Sequence, residues 1–588
     1  MSVTIEEQLQ KRGSLAEVLS QRAAMHPGRE AIDEPLTDAS ALSYAELDGR
    51  VDAMARRLGE LLIGASGRHV VIALPNTIDY VVAFLACLRS GSVAVTLFPP
   101  TVTTTRAAAA FRARLHAIVV DCAPLALVGE SEFLSEFGHD LPPSLALLTP
   151  SAAGAPTPHA EPRQPRRRIA PDDVAMLQYT SGSTGSPKGV ELSHRNLMSN
   201  AFAVARACGS REGDTIVTWL PLYHDMGLIG SVLHAFTAGM TVKLMTPAAF
   251  VRNPAHWLRL ASRHRARVLI APNFAYDLCW RRGLPDPDEE WDLSHLRLTL
   301  NGAEPVRPAT MRRFVDTFAA HGYPPAAMAP AYGLAENTVG VSISRGESGP
   351  HVFWARRDAL IRGVYEPGEP DREPCVPLVG CGTDIDGVRT AIVDPESARE
   401  VPEGTIGEIW VTGTSMARGF HGKPEATASQ FGFRVVGSDA SWLRTGDLGV
   451  RIEGQLCVRG RVRDMIVQRG ENHAPSDVEA IALGQHPQLG PTAAAFGVDD
   501  DTAERVVVLV ESKGSMTAGE VAQVESAVRA AISEQSALVV TTVGLVRRGV
   551  LPQTTSGKVQ RALAQRLWVE GRIETLASDA SASRETTR

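Results

Sequence analysis

Between Gln178 and Val190 the chain reads Gln-Tyr-Thr-Ser-Gly-Ser-Thr-Gly-Ser-Pro-Lys-Gly-Val. Thr180, Ser181, Ser183 and Thr184 supply hydroxyls, Gly182 and Gly185 supply backbone freedom, and Lys188 supplies a cation. A ligand carrying a pyrophosphate needs these features: backbone N–H groups able to turn inward, hydroxyl donors, close approach of the chain and a balancing charge. The same composition also suits a flexible loop, so the stretch alone leaves both readings open. It is not a Walker A loop, because no G-x-x-x-x-G-K-[ST] occurs in the chain, and this disfavours a P-loop kinase. Three further groups could do chemistry. Lys558 lies in Pro552-Gln-Thr-Thr-Ser-Gly-Lys558, His224 in Trp219-Leu-Pro-Leu-Tyr-His224-Asp225, and Glu336 in Tyr332-Gly-Leu-Ala-Glu336. Taken singly, these are an ordinary solvated lysine, a core histidine and an exposed glutamate.

These groups need elements to position them. Ser43-Tyr-Ala-Glu46 reads as a capping box, and Leu47, Val51, Met54, Leu58 and Leu62 recur at helical spacing, which predicts a helix over 44–62. His69 to Leu74 is a short β-branched run, Ile78 to Arg89 a buried helix with Gly91 at its C-cap, and Val93 to Leu97 a second strand. Strand–helix–strand order implies a parallel sheet with crossover helices. The alternation continues through Ile216–Leu220, Thr241–Met245 and Val268–Ile270. Residues 149–168 are rich in Pro, Ala and Arg and read as an exposed connection. After Gly407, short runs (EIWV, LCVRG, MIVQ) between Gly-containing turns suggest an antiparallel segment. Residues 463–569 leave room for a small α+β domain, and the polar stretch 578–588 is expected to be disordered.

At 588 residues the chain is too long for one core, since cores stop growing near roughly 250–300 residues. A net charge of -7 gives no basic excess and disfavours nucleic-acid binding. The seven cysteines form no C-x-x-C pair and no zinc spacing, so reduced thiols in a cytoplasmic protein are expected. No apolar run reaches the roughly 20 residues of a membrane span, and the start has no secretory pattern.

Thr180 to Lys188 resembles the phosphate loop of the adenylate-forming superfamily of acyl-CoA synthetases, luciferases and peptide-synthetase adenylation domains. Asn301-Gly-Ala-Glu304, Tyr332-Gly-Leu-Ala-Glu336, Gly407-Glu408, Arg444-Thr-Gly-Asp447, Gly460-Arg-Val-Arg-Asp464 and Pro552 to Lys558 follow in the order that family requires. The resemblance spans roughly 14–569. It implies an α/β fold: a large N-terminal domain (1–460) of parallel sheets with crossover helices and a small β subdomain, then a small, mobile α+β C-terminal domain (461–570) and a tail (571–588). It also implies ATP and Mg²⁺, with Lys558, His224 and Glu336 as the catalytic set. Lys558 would reach the acyl carboxylate and the α-phosphate, His224 would lie beside them, and Glu336 would bind the metal. Thr180, Ser181, Gly182, Ser183, Thr184, Gly185 and Lys188 would hold phosphates. Asn301, Gly302, Ala303, Glu304, Tyr332, Gly333, Leu334 and Ala335 would surround the adenine and phosphates, and Asp447 and Arg461 would meet the ribose.

Within the superfamily the strings at 178–190, 219–230, 271–279, 301–306 and 470–479 look most like fatty acyl-AMP ligases. Ala335, where many relatives carry Thr, fits that branch. The resemblance implies a fatty acid substrate and transfer to the phosphopantetheine of a separate acyl carrier protein or carrier domain. It further implies an insertion in the large domain, for which Phe353 to Cys375 is the candidate, and a hinge at Arg463-Asp464. An acyl-CoA ligase, an adenylation enzyme for another acid and a non-catalytic binding protein are the alternatives. Met226, Leu228, Pro272, Phe274 and Tyr276 are expected to line an acyl channel.

Overall fold

The computed structural model describes residues 13–63, 68–98, 105–150, 169–180, 187–345, 349–468, 471–500, 503–536, 538–554 and 558–576. They group into two compact units. One comprises 1–350, 381–390 and 410–444, the other 351–380, 391–409 and 445–588.

In the first unit the capping box forms as predicted. Ser43 Oγ accepts the Glu46 N–H, and the Glu46 carboxylate accepts the Ser43 N–H at 2.8 Å, opening the helix Tyr44–Leu61. Leu47, Val51, Met54 and Leu58 are buried along one stripe. The strand His69–Ala73 pairs in parallel with Val93–Thr96, and the buried helix Ile78–Ser90 between them ends on Gly91 at φ 76°. That left-handed conformation is the one a glycine C-cap adopts without a Cβ penalty. Together they belong to a six-stranded sheet in the order 146–148, 126–129, 69–73, 93–96, 174–180, 188–193. The last pair is an antiparallel hairpin in which Thr180 faces Lys188. Ser181, Gly182, Ser183, Thr184 and Gly185 lie outside the described residues.

A second sheet of nine strands carries the rest of this unit, in the order 383–384, 340–343, 328–333, 298–302, 268–272, 215–218, 241–244, 30–33, 42–43. From 328–333 to 30–33 the neighbours run parallel, and antiparallel strands close both edges. The expected strands at 216–220, 241–245 and 268–270 appear as Thr215–Thr218, Thr241–Leu244 and Val268–Pro272. In open α/β sheets ligands bind beyond the carboxyl ends of such strands. His224, Asn301 and Tyr332 all lie at or just after such ends.

In the second unit, Phe353 to Cys375 belongs to an ordered arm. Strands Val352–Arg356 and Cys375–Val379 pair antiparallel, with the short helix Arg357–Ile361 following the first. Phe353, Ala355, Leu360, Val376 and Leu378 form a core with Val450, Ile452 and Cys457. A merely long surface loop is thereby excluded. Strands Leu443–Ile452 and Gln455–Arg461 form a hairpin. Further on, Leu489–Asp500, Ala503–Ser512 and Thr542–Val546 make a three-stranded sheet. Val506, Val508 and Val510 pack there against Val521, Val524 and Val528 of the helix Ala518–Ser536. Each such buried side chain contributes about 1.5–3 kcal/mol. The seven cysteines form no disulfide, and all but the half-buried Cys375 are buried.

Candidate active site

Asn301 and Gly302 end the central strand Leu298–Gly302. A Cβ on Gly302 would stand 2.9 Å from the Ala331 carbonyl oxygen, so a side chain there would press on the neighbouring strand's backbone. Ala303 then turns at φ 65°, a left-handed conformation rare outside glycine. This reverses the chain so that Glu304 Oε1 accepts the Phe274 N–H at 2.5 Å. One strand over, Tyr332 and Gly333 end Met328–Gly333. Glu336, half-buried, sits in the tight turn Ala335–Asn337. That turn is clamped by residues that sequence reading missed. Asn337 Nδ2 and Asn200 Nδ2 both donate to the Gly340 carbonyl at 2.9 Å, and Thr338 Oγ1 donates to the Ser415 carbonyl at 2.6 Å. Asn196 Nδ2 holds the Thr414 and Met416 carbonyls at 2.9 and 2.8 Å. The Ser193-x-x-Asn196 spacing, a reciprocal cap on the helix His194–Ala207, was the available signal.

Beside these strand ends lies a small cavity that opens to solvent. Its wall is almost wholly apolar, including Met226, Ile270, Leu300, Val339 and Ile343, and Asp225, Ala303, Tyr332 and Gly333 also line it. Of the five expected channel residues, only Met226 lines it. Tyr276 is buried instead against Trp257 and Phe314, with its hydroxyl on the Leu300 carbonyl at 2.7 Å. Leu228 is buried at the start of a π-helical turn, Leu228–Leu233, and Phe274 packs edge-on to Trp219. His224, half-buried, precedes that turn. Gln178 Nε2 donates to the Tyr223 carbonyl at 2.7 Å and so ties the His224 segment to the strand entering the glycine-rich loop.

On the other leg of that hairpin, Lys188 Nζ stands 5.3 Å over the ring of Phe420, an arrangement that attracts the ammonium to the ring face. The segment around Phe420 is fixed to the strand. Val190 bridges Phe420, the His421 N–H donates to the Gly189 carbonyl, and His421 Nδ1 lies 2.7 Å from Glu191. Asp121 accepts the Tyr179 hydroxyl at 2.6 Å and Lys423 Nζ at 3.0 Å. Burial, and then the Asp121 bond, push the Tyr179 phenol well above its usual range. Burial, and then the neighbouring His421, push the His69 imidazole down.

In the second unit, Asp447 and Arg461 face each other across the hairpin, with Nε 3.2 Å from Oδ1. Thr445 and Glu408 brace the approach: Thr445 Oγ1 donates to the Ile409 carbonyl at 2.7 Å, and Glu408 Oε1 accepts the Gly446 N–H at 3.1 Å. Lys558 is exposed on a turn closed by local bonds. Its N–H donates to Thr554 Oγ1 at 3.1 Å, and its carbonyl accepts the Thr554 N–H at 2.7 Å. Of the described sequence candidates, Gly302, Ala303, Tyr332 and Gly333 line the cavity, and His224, Asn301, Glu304 and Leu334 to Glu336 lie in the segments that carry its lining. Asp447 pairs with Arg461, and Lys558 stands on a turn of its own.

Residues 19–421 match the AMP-binding enzyme family, and residues 463–578 match the AMP domain of Disco-interacting protein 2-like proteins. The chain belongs to the adenylate-forming superfamily, among the fatty acyl-AMP ligases. A solved structure from a study of fatty acyl-adenylate ligases of E. coli and L. pneumophila superposes with a TM-score of 0.84 at 31% identity, covering 95% of this chain and 98% of that one. The medium-chain-fatty-acid–[acyl-carrier-protein] ligase JamA of Moorena producens is 32% identical over 95% of this chain and 96% of its own length. The putative fatty-acid–CoA ligase fadD25 of Mycobacterium tuberculosis is 34% identical over 94% and 97%.

An adenylate-forming ligase activates an acid with ATP, and two of the strings singled out from the sequence carry a buried acceptor left without a donor. Asn301 Oδ1 and Gln178 Oε1 are buried with no hydrogen-bond partner among the described residues. Such buried acceptors carry a desolvation penalty of about 1–3 kcal/mol each unless a ligand or water supplies a donor. Among the described residues no group of three or more His, Cys, Asp or Glu side chains could hold a metal. None of their helices is long and apolar enough to cross a membrane.

Proposed function

We propose that this ligase activates a fatty acid as its acyl-AMP and passes the acyl group to the phosphopantetheine thiol of a separate acyl carrier protein. The observation that carries the substrate reading is the apolar cavity, in whose lining Asp225 and Tyr332 are the polar side chains. An alkyl chain gains about 0.8 kcal/mol per methylene buried in such a wall. The acid's carboxylate would attack the α-phosphorus of ATP, forming the P–O bond to the acyl group as the bond to pyrophosphate breaks. Both partners are anionic, so the chain's task is to bring like charges together and to stabilise added charge.

The roles follow from chemistry and family resemblance. Lys188, with Thr180 to Gly185, would hold phosphates. Asn301 to Glu304, Tyr332, Gly333, Leu334 and Ala335 would surround the adenine, and Asp447, acceptor-only when ionised, suits the ribose hydroxyls beside Arg461. His224 would donate to the carboxylate or phosphate, and Lys558 would bridge the two. Mg²⁺ takes one or two protein carboxylates plus phosphate oxygens and waters, so Glu336 alone would suffice to hold it, and the ion would neutralise phosphate charge. We place the reaction in the cytoplasm. The carrier as acceptor draws support from the name of the Moorena relative and from the ordered arm at 351–380 in the position expected of the branch's insertion. The name of the mycobacterial relative favours the second reading, transfer to coenzyme A.

One experiment tests both steps. The protein is incubated with ATP, Mg²⁺ and a mixed fatty-acid panel, and adenylates are read by mass spectrometry. Either coenzyme A or a phosphopantetheinylated carrier protein is then added. Acyl-AMP followed by acyl-carrier is the expected result. No fatty acyl-AMP from any panel member would remove the fatty acid, and efficient acyl-CoA formation would replace the carrier.

A further inference from the structure

The two legs that flank Lys558 are joined at their base. Gln553 and Val559 bridge the legs, the Gln560 N–H donates to the Pro552 carbonyl at 2.9 Å, and Gln560 Nε2 donates to the Gln553 carbonyl at 2.8 Å. The outgoing leg runs directly into the helix Arg561–Val569. A cation at the first residue of a helix faces the positive end of the helix dipole, so Arg561 is there at an electrostatic disadvantage. Two carboxylates offset it. Arg561 Nε lies 2.6 Å from Glu479 Oε1 and Nη2 lies 2.7 Å from Oε2, a two-pronged fork. Nη1 also reaches Asp464 Oδ2 at 3.8 Å. Glu479 projects from the helix Pro475–Leu483 with its side chain only 4% exposed, and its Oε1 also accepts the Ala495 N–H at 3.1 Å. Asp464 closes the tight turn Val462–Asp464 and lies 3.5 Å from Arg463.

We infer that Arg561 is a positioning residue for Lys558: its fork on buried Glu479 fixes the base of the lysine turn, and its reach to Asp464 makes that turn and the 462–464 connection one linked unit. The inference rests on the reading that Lys558 acts in adenylation. Such geometry is what a planar guanidinium supplies and an ammonium does not. Without the fork the turn keeps its local bonds but loses its fixed attachment to the domain, and displacement of a catalytic group by about 1 Å can cost on the order of 10²-fold in rate.

The test uses the full chain and ATP–pyrophosphate exchange. Arg561→Gln should slow exchange roughly 10- to 100-fold through kcat, leaving KM for ATP within about a factor of two. In the Lys558→Ala background, adding Arg561→Gln should slow exchange no further, because the arginine acts through the lysine. Amide hydrogen exchange should show lost protection at the Thr554, Lys558 and Gln560 amides while the strands Ala503–Ser512 and Thr542–Val546 keep theirs. Arg561→Lys, which retains charge without the fork, should reproduce most of the defect, and it is the variant to read if Arg561→Gln does not fold. Wild-type exchange in Arg561→Lys, multiplying losses in the double variant, or protection lost across the whole domain would each overturn the inference. Normal exchange in Lys558→Ala would instead sink the reading of that lysine. The hydrogen-exchange result would then still decide whether Arg561 fixes the turn.

Discussion

The cavity wall of the first unit and the lysine turn of the second are built on opposite principles. The wall is made of strand ends in the middle of a nine-stranded sheet, and the loops that finish it are clamped from far away in sequence. Asn200 grips Gly340 across 140 residues, and Asn196 grips Thr414 and Met416 across 218 and 220. The turn is held by bonds spanning four to eight residues and by one ion-pair fork at its base. In the wall, packing and chemistry cannot be separated, because each side chain at the cavity is also a core neighbour. In the turn they can, because Lys558 is exposed and contributes nothing to a core. A substitution there should therefore read out chemistry, and one in the wall should read out stability first.

The largest effect should come where the two are most separable. Lys558→Ala is expected to slow pyrophosphate exchange by about 10²–10³, the typical loss for one well-placed charge donor, while leaving the denaturation midpoint where it was. A variant with an unchanged rate, or one that unfolds, would dissolve the contrast.

This division also tracks what the sequence reveals. The local features were legible: the capping box at Ser43, the Gly91 C-cap, the short parallel strands, and the polar glycine turns whose residue types carry their chemistry. Contacts set by tertiary packing were not. Tyr276 falls on a helix that turns it toward Trp257 and Phe314, away from the cavity, and no local pattern distinguishes that face from the other. Asn196 and Asn200, one turn apart on a helix, look like ordinary polar positions until their distant carbonyl partners are known. The π-helical turn Leu228–Leu233 was also hidden, since it depends on a single irregular bond step within an apolar run. The candidate insertion was legible as a segment, but the two strands of its arm were not, because at five residues each they are too short to show a period.

The wall makes its own prediction through His234. This buried histidine donates from Nδ1 to the carbonyl of Gly230, a cavity residue, and its Nε2 meets Ser210 Oγ at 3.3 Å. Burial pulls its pKa from 6.5 to about 4. The folded state therefore holds the neutral ring, and the stability so gained is complete above about pH 6.5 and drains away as pH falls through about 4. At 1.36 kcal/mol per unit this amounts to ~3 kcal/mol. Urea unfolding at pH 7 and pH 4.5 should show the loss, and His234→Asn, which keeps a donor but does not titrate, should flatten it. An unchanged slope in the variant would assign the acid sensitivity elsewhere.

Gly333 tests the wall by volume. An added Cβ would stand 1.8 Å from the Val339 carbonyl oxygen, a backbone atom that cannot simply rotate aside. Gly333→Ala should cost about 1–3 kcal/mol by forcing the 333–340 turn outward. Chemical denaturation would measure it, and a neutral result would mean that this turn is looser than its clamps imply.

The smallest effect returns to the turn. Thr554 Oγ1 accepts the Lys558 N–H at 3.1 Å, one neutral hydrogen bond at an exposed site. Its removal in Thr554→Ala forfeits about 0.5–1.5 kcal/mol of local order. If that loss falls on the placement of Lys558, exchange should slow roughly 2- to 10-fold with no change in the global unfolding midpoint. The reverse result, a lower midpoint with an unchanged rate, would mean that the turn belongs to the folded core as fully as the cavity wall does. The separation of chemistry from packing would then fail at the position where it should be easiest to see.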